Sequence, residues 1–222
     1  MTAGTPSVYE GLADALAVVV LLIEFLMLRS ALLRSQVRLY MVQSLAVSVL
    51  AVVIAADRGL TELYVLAGLS FVFKVVLVPW VVLRLLGRAD TEIAGSGRLG
   101  VASEVLLALL VAGFGLFITR RFQLTSPTLP ETALGLAVAV VLVAFVLMIV
   151  RSDVISQAIG FFSLENGVSL ASLVVAASLP LILEVAFLFD LLVAVVVFGV
   201  LMRVHHGRTA TLSTAGLTRL KG

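Results

Sequence analysis

Residues Thr132–Val150 read TALGLAVAVVLVAFVLMIV and contain no charged side chain. A helix rises about 1.5 Å per residue, so about 20 apolar residues cross the roughly 30 Å hydrocarbon core of a bilayer. The run is continuous, and it lacks the alternation of polar and apolar residues that marks a membrane β-strand. This stretch therefore predicts a membrane-spanning helix.

Six other stretches follow the same pattern, so the sequence predicts an all-α, polytopic membrane bundle of about seven transmembrane helices. The predicted spans are Val8–Arg29, Arg38–Ala56, Leu63–Leu86, Leu99–Thr119, Thr132–Val150, Val154–Ala177 and Leu181–Arg203. The first span is expected to stay in the protein rather than to be cleaved as a signal. Glu10 and Asp14 stand where a signal peptide would be basic.

The composition agrees with a membrane protein and excludes several other classes. Of the 222 residues, 62% are hydrophobic and only 13% are charged, and the mean hydropathy is +1.23. Because a soluble domain carries about 25% charged residues, a soluble globular domain, a disordered chain and a nucleic-acid-binding module are excluded. The chain has no cysteine, and its two histidines, His205 and His206, are adjacent. We therefore expect no metal site, no cofactor and no catalytic centre on this chain.

Lysine and arginine are distributed unevenly between the two sides of the predicted bundle. Eleven of them fall on the side that holds the C-terminus, three fall on the opposite side, and Lys74 lies inside a span. Cytoplasmic loops are enriched in these residues, so we predict an outside N-terminus and a cytoplasmic C-terminus. The expected location is the plasma (inner) membrane of a prokaryote. The links between spans are too short to fold as domains, so function must lie within the membrane or in contacts with partners.

Ionisable residues inside the predicted spans are the candidate functional residues, because a charge at mid-bilayer costs about 2.5–3.5 kcal/mol. The candidates for proton relay are Glu165, Asp190, Glu184, Lys74, Glu104 and Glu24. Glu165 is the strongest of them, since it lies near the middle of the sixth span. Ser163 and Asn166 are nearby hydrogen-bonding groups, and Gly160 and Gly167 permit close helix packing. A buried carboxyl group can take up and release protons, or it can be a protonated structural group bonded to a neighbouring helix.

Lys74 lies near the middle of the third span, five residues before Pro79. Proline has no N–H, so we expect the helix to be loosened there. A buried lysine either loses its proton or finds a carboxylate, and Glu24 and Glu104 are the two partners considered. A structural ion pair and a charge in a relay both stay open. Gln43 in the second span is either a neutral link in a polar chain or a simple helix–helix hydrogen bond.

The last predicted span carries two acids. Glu184 lies near its outer end, after Pro180, and Asp190 lies closer to its middle. The six-residue spacing places the two side chains about 120° apart around a helix, so they do not share one face. Hydration at the interface explains Glu184 as well as a function does, whereas the depth of Asp190 favours a function.

A resemblance to a known family rests on two motifs in the last two predicted spans. The stretch Gly160-Phe-Phe-Ser-Leu-Glu165-Asn-Gly167, followed by Leu179-Pro180-Leu-Ile-Leu-Glu184-Val-Ala-Phe-Leu-Phe-Asp190, resembles hydrogenase-4 component E. That family is a membrane subunit of the formate hydrogenlyase type of nickel–iron hydrogenase. The last three spans are also similar to the K subunit of respiratory complex I and the C subunit of multisubunit cation/proton antiporters. In the complex I subunit, two helices each carry a buried glutamate thought to serve proton transfer.

The resemblance implies a division of the chain and a role for some of its acids. The implied parts are a four-helix N-terminal membrane half at 1–130, a three-helix K-subunit-like half at 131–204 and a polar cytoplasmic tail at 205–222. Glu165 matches the first family glutamate, and either Glu184 or Asp190 matches the second. The resemblance is specific over roughly residues 155–203, so Lys74, Glu24 and Glu104 receive no family role.

The function implied is that of a non-catalytic membrane subunit of a hydrogenase-like, complex I-related assembly, which couples redox chemistry to proton translocation through buried carboxylates. The implied partners are Fe–S and hydrogenase-like subunits, other membrane subunits and the lipid bilayer, with no nucleic acid. The alternatives are a purely structural subunit of the same complex and a stand-alone small transporter or channel. The reaction of the complex and the choice between H⁺ and Na⁺ stay open.

Overall fold

The computed structural model describes residues 8–87, 93–94, 99–120, 131–175 and 192–200. The helices over these residues are α1 (Val8–Arg29), α2 (Leu33–Arg58), α3 (Thr61–Ser70), a π-helical segment (Phe71–Leu77), α4 (Val78–Leu86), α5 (Val101–Thr119), α6 (Glu131–Val150) and α7 (Val154–Val175). Residues 192–200 are also helical. The described part of the chain contains no β-strand beyond one isolated bridge between Leu32 and Ile93. The predicted all-α class is confirmed.

Six helical stretches of the described chain are long and apolar enough to span a membrane. The segment Thr61–Leu86 counts as one of them, because α3, the π-helical segment and α4 form one continuous helix. These six correspond to the first six predicted spans, and the chain is a multi-pass membrane protein. The predicted seventh span, Leu181–Arg203, lies mostly outside the described residues, and so do Glu184 and Asp190.

Helix α2 begins five residues earlier than the predicted Arg38. Leu33, Gln36 and Val37 are all buried in its first turn, so this turn packs inside the bundle although Arg34 and Arg38 flank it. Gln36 Nε2 also donates a hydrogen bond to the carbonyl of Ser30, 3.0 Å away. The helix ends at Gly59, which adopts φ +66° and donates its N–H to the carbonyl of Ala55. Glycine is the residue that takes this left-handed conformation without strain.

Two pairs of packed helices in the described chain run parallel, α1 with α6 and α2 with α7. α6 packs between α5 and α7, α1 packs on α2 and α6, and α2 packs on α3 and α7. Successive contacts between α2 and α7 join Gln36 to Ser156 and Gln43 to Ser163. Both numbers increase by seven from one contact to the next, so α2 and α7 run parallel.

The segment around Lys74 departs from α-helical geometry, as the position of Pro79 predicted. The N–H of Val78 bonds to the carbonyl of Phe73, five residues back. Pro79 has no N–H to continue either an α-helical or a π-helical pattern. Short π-helical segments inside α-helices frequently occur at functional sites.

The turn between α6 and α7 places the buried guanidinium group of Arg151 at the C-terminal end of α1. The guanidinium group of Arg151 donates to the carbonyl of Leu28, in the last turn of α1. A cation at a helix C-terminus is favoured by the unpaired carbonyl groups and the helix dipole. The side chain of Asp153 accepts the N–H of Ser156 at 2.7 Å and so caps the start of α7. This turn fixes the depth of α7 relative to α1.

Candidate functional site

Helix α7 carries two adjacent rows of buried polar side chains. Ser156, Ser163 and Asn166 lie on one row, because the spacings of seven and three residues return to the same helix face. Glu165 and Ser169, four residues apart, lie on the neighbouring row. All five are buried. Polar groups inside a membrane bundle are expensive unless they are bonded, so each must find partners on other helices.

The first row of α7 bonds to a matching row on α2. Ser156 Oγ donates to Gln36 Oε1 at 2.8 Å, and Ser163 Oγ lies 2.9 Å from Gln43 Oε1. Asn166 Nδ2 donates to Gln43 Oε1 at 3.0 Å and to Ser44 Oγ at 2.9 Å. Gln43 is therefore the central member of a polar chain, which was one of its two predicted roles.

Glu24 of α1 joins this chain from the opposite side. Its carboxyl group is fully buried, and Gln43 Nε2 donates to its Oε2 at 2.7 Å. The hydroxyl of Ser163 contacts the same oxygen. Gln43 Nε2 also lies 3.3 Å from the carbonyl of Val20, one turn earlier on α1. Glu24 Oε1 is buried without a hydrogen-bond partner among the described residues.

The second row of α7 meets the π-helical segment. Lys74 Nζ lies 2.8 Å from Glu165 Oε1 and donates to Ser169 Oγ at 2.8 Å. The side chains of Lys74 and Glu165 are 0% and 7% exposed. A positive and a negative charge therefore neutralise each other within the bundle. The predicted pairing of Lys74 with Glu24 or Glu104 is wrong.

The reason for that error is helix register, which determines whether side chains at similar depth face each other. Glu24 turns towards Gln43 and Ser163, and Glu104 lies in the first turn of α5, a helix that packs on α6 and α1. Glu104 is buried. Glu165, Lys74 and Glu24 thus take part in the polar contacts between the helices, and Glu184 and Asp190 fall outside the described residues.

Several polar members of the site were missed in the sequence: Gln36, Ser44, Ser156 and Ser169. Most of them could have been identified from polar residues that recur at intervals of seven positions. Gln36 and Gln43 on one helix, and Ser156 and Ser163 on another, share this spacing. Polar residues repeated at seven-residue intervals in otherwise apolar helices indicate one face turned towards another polar face.

The polar groups form two separate parts along α2 and α7. Between Gln36 and Gln43 the helix rises by about 10 Å, and this interval is filled by the rings of Tyr40 and Phe162, with centroids 5.9 Å apart. The larger part holds two carboxyl groups, one ammonium group, hydroxyls and amides. Carboxyl and hydroxyl groups can both donate and accept protons, whereas the amides serve as oriented donors and acceptors. The described residues contain no group of three or more acidic, histidine or cysteine side chains arranged to hold a metal.

Comparisons with known proteins find relatives from bacteria. An uncharacterized protein of Mycobacterium tuberculosis is 32% identical over 129 residues, which cover 58% of this chain and 59% of that protein. The chain thus spans less than two thirds of the length of that relative. Hydrogenase-4 component E of Escherichia coli K12 is 26% identical over 183 residues, covering 82% of this chain and 85% of the relative, and the Shigella flexneri protein of the same name gives the same values. No family model matches the chain, and no solved structure matches it.

Proposed function

We propose that this homologue of hydrogenase-4 component E is a non-catalytic membrane subunit of a hydrogenase-like, complex I-related assembly. The similarity extends over most of the chain, and the six apolar helices make it a multi-pass membrane protein. Its membrane is the plasma membrane of a prokaryote, with the N-terminus outside and the C-terminus in the cytoplasm. The subunit helps to couple redox chemistry in its partners to proton translocation.

The observation that carries the coupling role is the buried Lys74–Glu165 pair. Moving a proton against about 150 mV stores roughly 3.5 kcal/mol per charge. Breaking a buried ion pair costs about 3–5 kcal/mol, which is of the same order. Protonation of Glu165 would cancel its charge and break its ion pair with Lys74, so proton movement and the state of this pair can exchange free energy. Glu184 or Asp190 supplies the next acid of the relay.

The proposed partners are Fe–S and hydrogenase-like subunits together with other membrane subunits. A tagged chain, purified in mild detergent, is expected to bring these subunits with it, and mass spectrometry and metal analysis would identify them. Iron–sulfur partners without nickel would indicate a related redox complex of different chemistry. A single component, reproduced in nanodiscs, would contradict the assembly and favour a stand-alone transporter, for which transport by the purified chain in liposomes is the check.

Glu165→Gln is expected to leave the complex assembled and its electron transfer intact, and to slow the coupled proton transfer about tenfold or more, because acid–base groups contribute about 10²–10⁴-fold to proton transfer. Both rates would be measured on the complex in sealed vesicles, so that their ratio reports coupling. Glu62→Gln is the matched control, since Glu62 is an exposed acid on the same continuous helix as Lys74. If the assembled Glu165→Gln complex keeps the same ratio of proton transfer to electron transfer, the subunit is purely structural.

A further inference from the structure

Glu24 has an unusual environment for a buried acid. It is fully buried on α1, yet the groups that bond to it are the neutral side chains of Gln43 and Ser163. The buried ionisable side chains on the elements packed around it are Tyr40 of α2, Lys74 of the π-helical segment, Glu104 of α5, Glu165 of α7, and Arg151 and Asp153 of the α6–α7 turn. Within the described chain, none of them is a hydrogen-bond or ion-pair partner of Glu24. Residues 132–150 of α6 carry no ionisable group.

An unpaired carboxylate in this position would be costly. The desolvation of an isolated ionised carboxylate is so unfavourable that such a group usually becomes neutral instead. Two neutral donors reach one oxygen of Glu24, and the other oxygen has no partner among the described residues. The surroundings thus favour a carboxyl group that carries a proton.

A protonated Glu24 also satisfies both polar contacts of the Ser163 hydroxyl. The hydroxyl has one hydrogen, but its oxygen lies within hydrogen-bond distance of two acceptors, Glu24 Oε2 and Gln43 Oε1. If Ser163 donates to Gln43, the contact with Glu24 needs a second hydrogen, which a protonated Glu24 supplies. Asn166 Nδ2 holds Gln43 Oε1 in place for this arrangement, and Gln43 Nε2 is directed to Glu24.

We propose that Glu24 is a proton-binding site that exchanges its proton through Ser163. In the protonated state, Glu24 O–H donates to Ser163 Oγ and Ser163 O–H donates to Gln43 Oε1. When Glu24 loses its proton, the Ser163 hydroxyl rotates and donates to the carboxylate, and no helix has to move. Gln43 and Asn166 act as positioning residues. A role of Glu24 in coupling rests on the proposed function, whereas the protonation of Glu24 does not depend on it.

Infrared spectroscopy of the full chain in nanodiscs tests the site, because the C=O stretch of a protonated carboxyl group lies at higher frequency than the bands of a carboxylate. Spectra are recorded in H₂O and in D₂O. In both, Glu24→Gln is expected to lower the intensity of the protonated-carboxyl C=O band by the contribution of one carboxyl group. Ser163→Ala removes a hydrogen-bond partner and is expected to shift that band to higher frequency. Glu62→Gln, an exposed acid, is expected to leave it unchanged.

A Glu24→Gln spectrum that keeps every carboxyl band would overturn the proposal, because Glu24 would then be ionised. If Glu24→Gln does not fold, Ser163→Ala decides alone, and an unshifted band contradicts the site. The measurement needs neither partner subunits nor turnover. A Glu24 band together with normal coupling in the Glu165→Gln complex would therefore leave the proton site standing while the proposed function fails.

Discussion

Lys74→Met is expected to destabilise the folded chain by about 3–5 kcal/mol, the cost of breaking a buried ion pair by removing one partner. Glu165, 2.8 Å from the ammonium group, would keep its charge in a site where it is only 7% exposed, or would have to take up a proton. Ser169 would also lose the donor that reaches it at 2.8 Å. The free energy of unfolding, obtained by titrating the protein in mild detergent with dodecyl sulfate, measures the effect.

The double variant Lys74→Met with Glu165→Gln is expected to recover most of that loss, since replacing both charges by neutral groups of similar volume is often nearly neutral. Asp57→Asn is the matched control: Asp57 and Arg58 form a partly exposed pair at 3.3 Å, and such pairs contribute about 0–1 kcal/mol. Additive losses from Lys74→Met and Glu165→Gln, with no recovery in the double variant, would show that the two charges are not coupled.

Gly115→Leu is expected to prevent α5 from packing on α6, and the chain with this change is expected not to give folded protein. A Cβ atom at position 115 would lie 3.0 Å from the backbone nitrogen of Ala139 and 3.2 Å from its Cα. Backbone atoms inside a helix cannot yield locally, so the two helices would have to separate. The smaller change Gly115→Ala is expected to cost about 1–3 kcal/mol, typical of overpacking a tight interior.

Gly113 provides the control on the same helix, two residues away. It is exposed, and an added Cβ would meet nothing within 4 Å. Gly113→Ala and Gly113→Leu are expected to be neutral or slightly stabilising, because glycine is about 1 kcal/mol less favourable than alanine in a helix. Thermal unfolding in detergent and the yield of monodisperse protein are measured for the alanine and leucine variants at positions 113 and 115. Equal behaviour at positions 113 and 115 would contradict the close contact of α5 and α6.

The depth of Glu165 and the small residues beside it were both predictable. An added Cβ at Gly160 would lie 3.3 Å from the carbonyl of Ala144, and one at Gly167 would lie 3.1 Å from the nitrogen of Val141. The close helix packing expected from these glycines is confirmed, and the structure shows that the partner helix is α6. The partner of Lys74 was not predictable, because several acids lie at compatible depths and only the rotation of each helix selects among them.

The sequence by itself determined where the membrane helices lie, since crossing the bilayer requires a long apolar run that local composition displays directly. It also identified which ionisable residues such runs contain. Only the tertiary structure decided that Lys74 faces Glu165 and that Glu24 faces Gln43 and Ser163. In a soluble helix an apolar stripe shows the buried side, but lipid is as apolar as the bundle interior. The inward face of a membrane helix is therefore chosen by close packing and hydrogen bonds between helices, which no single helix encodes alone.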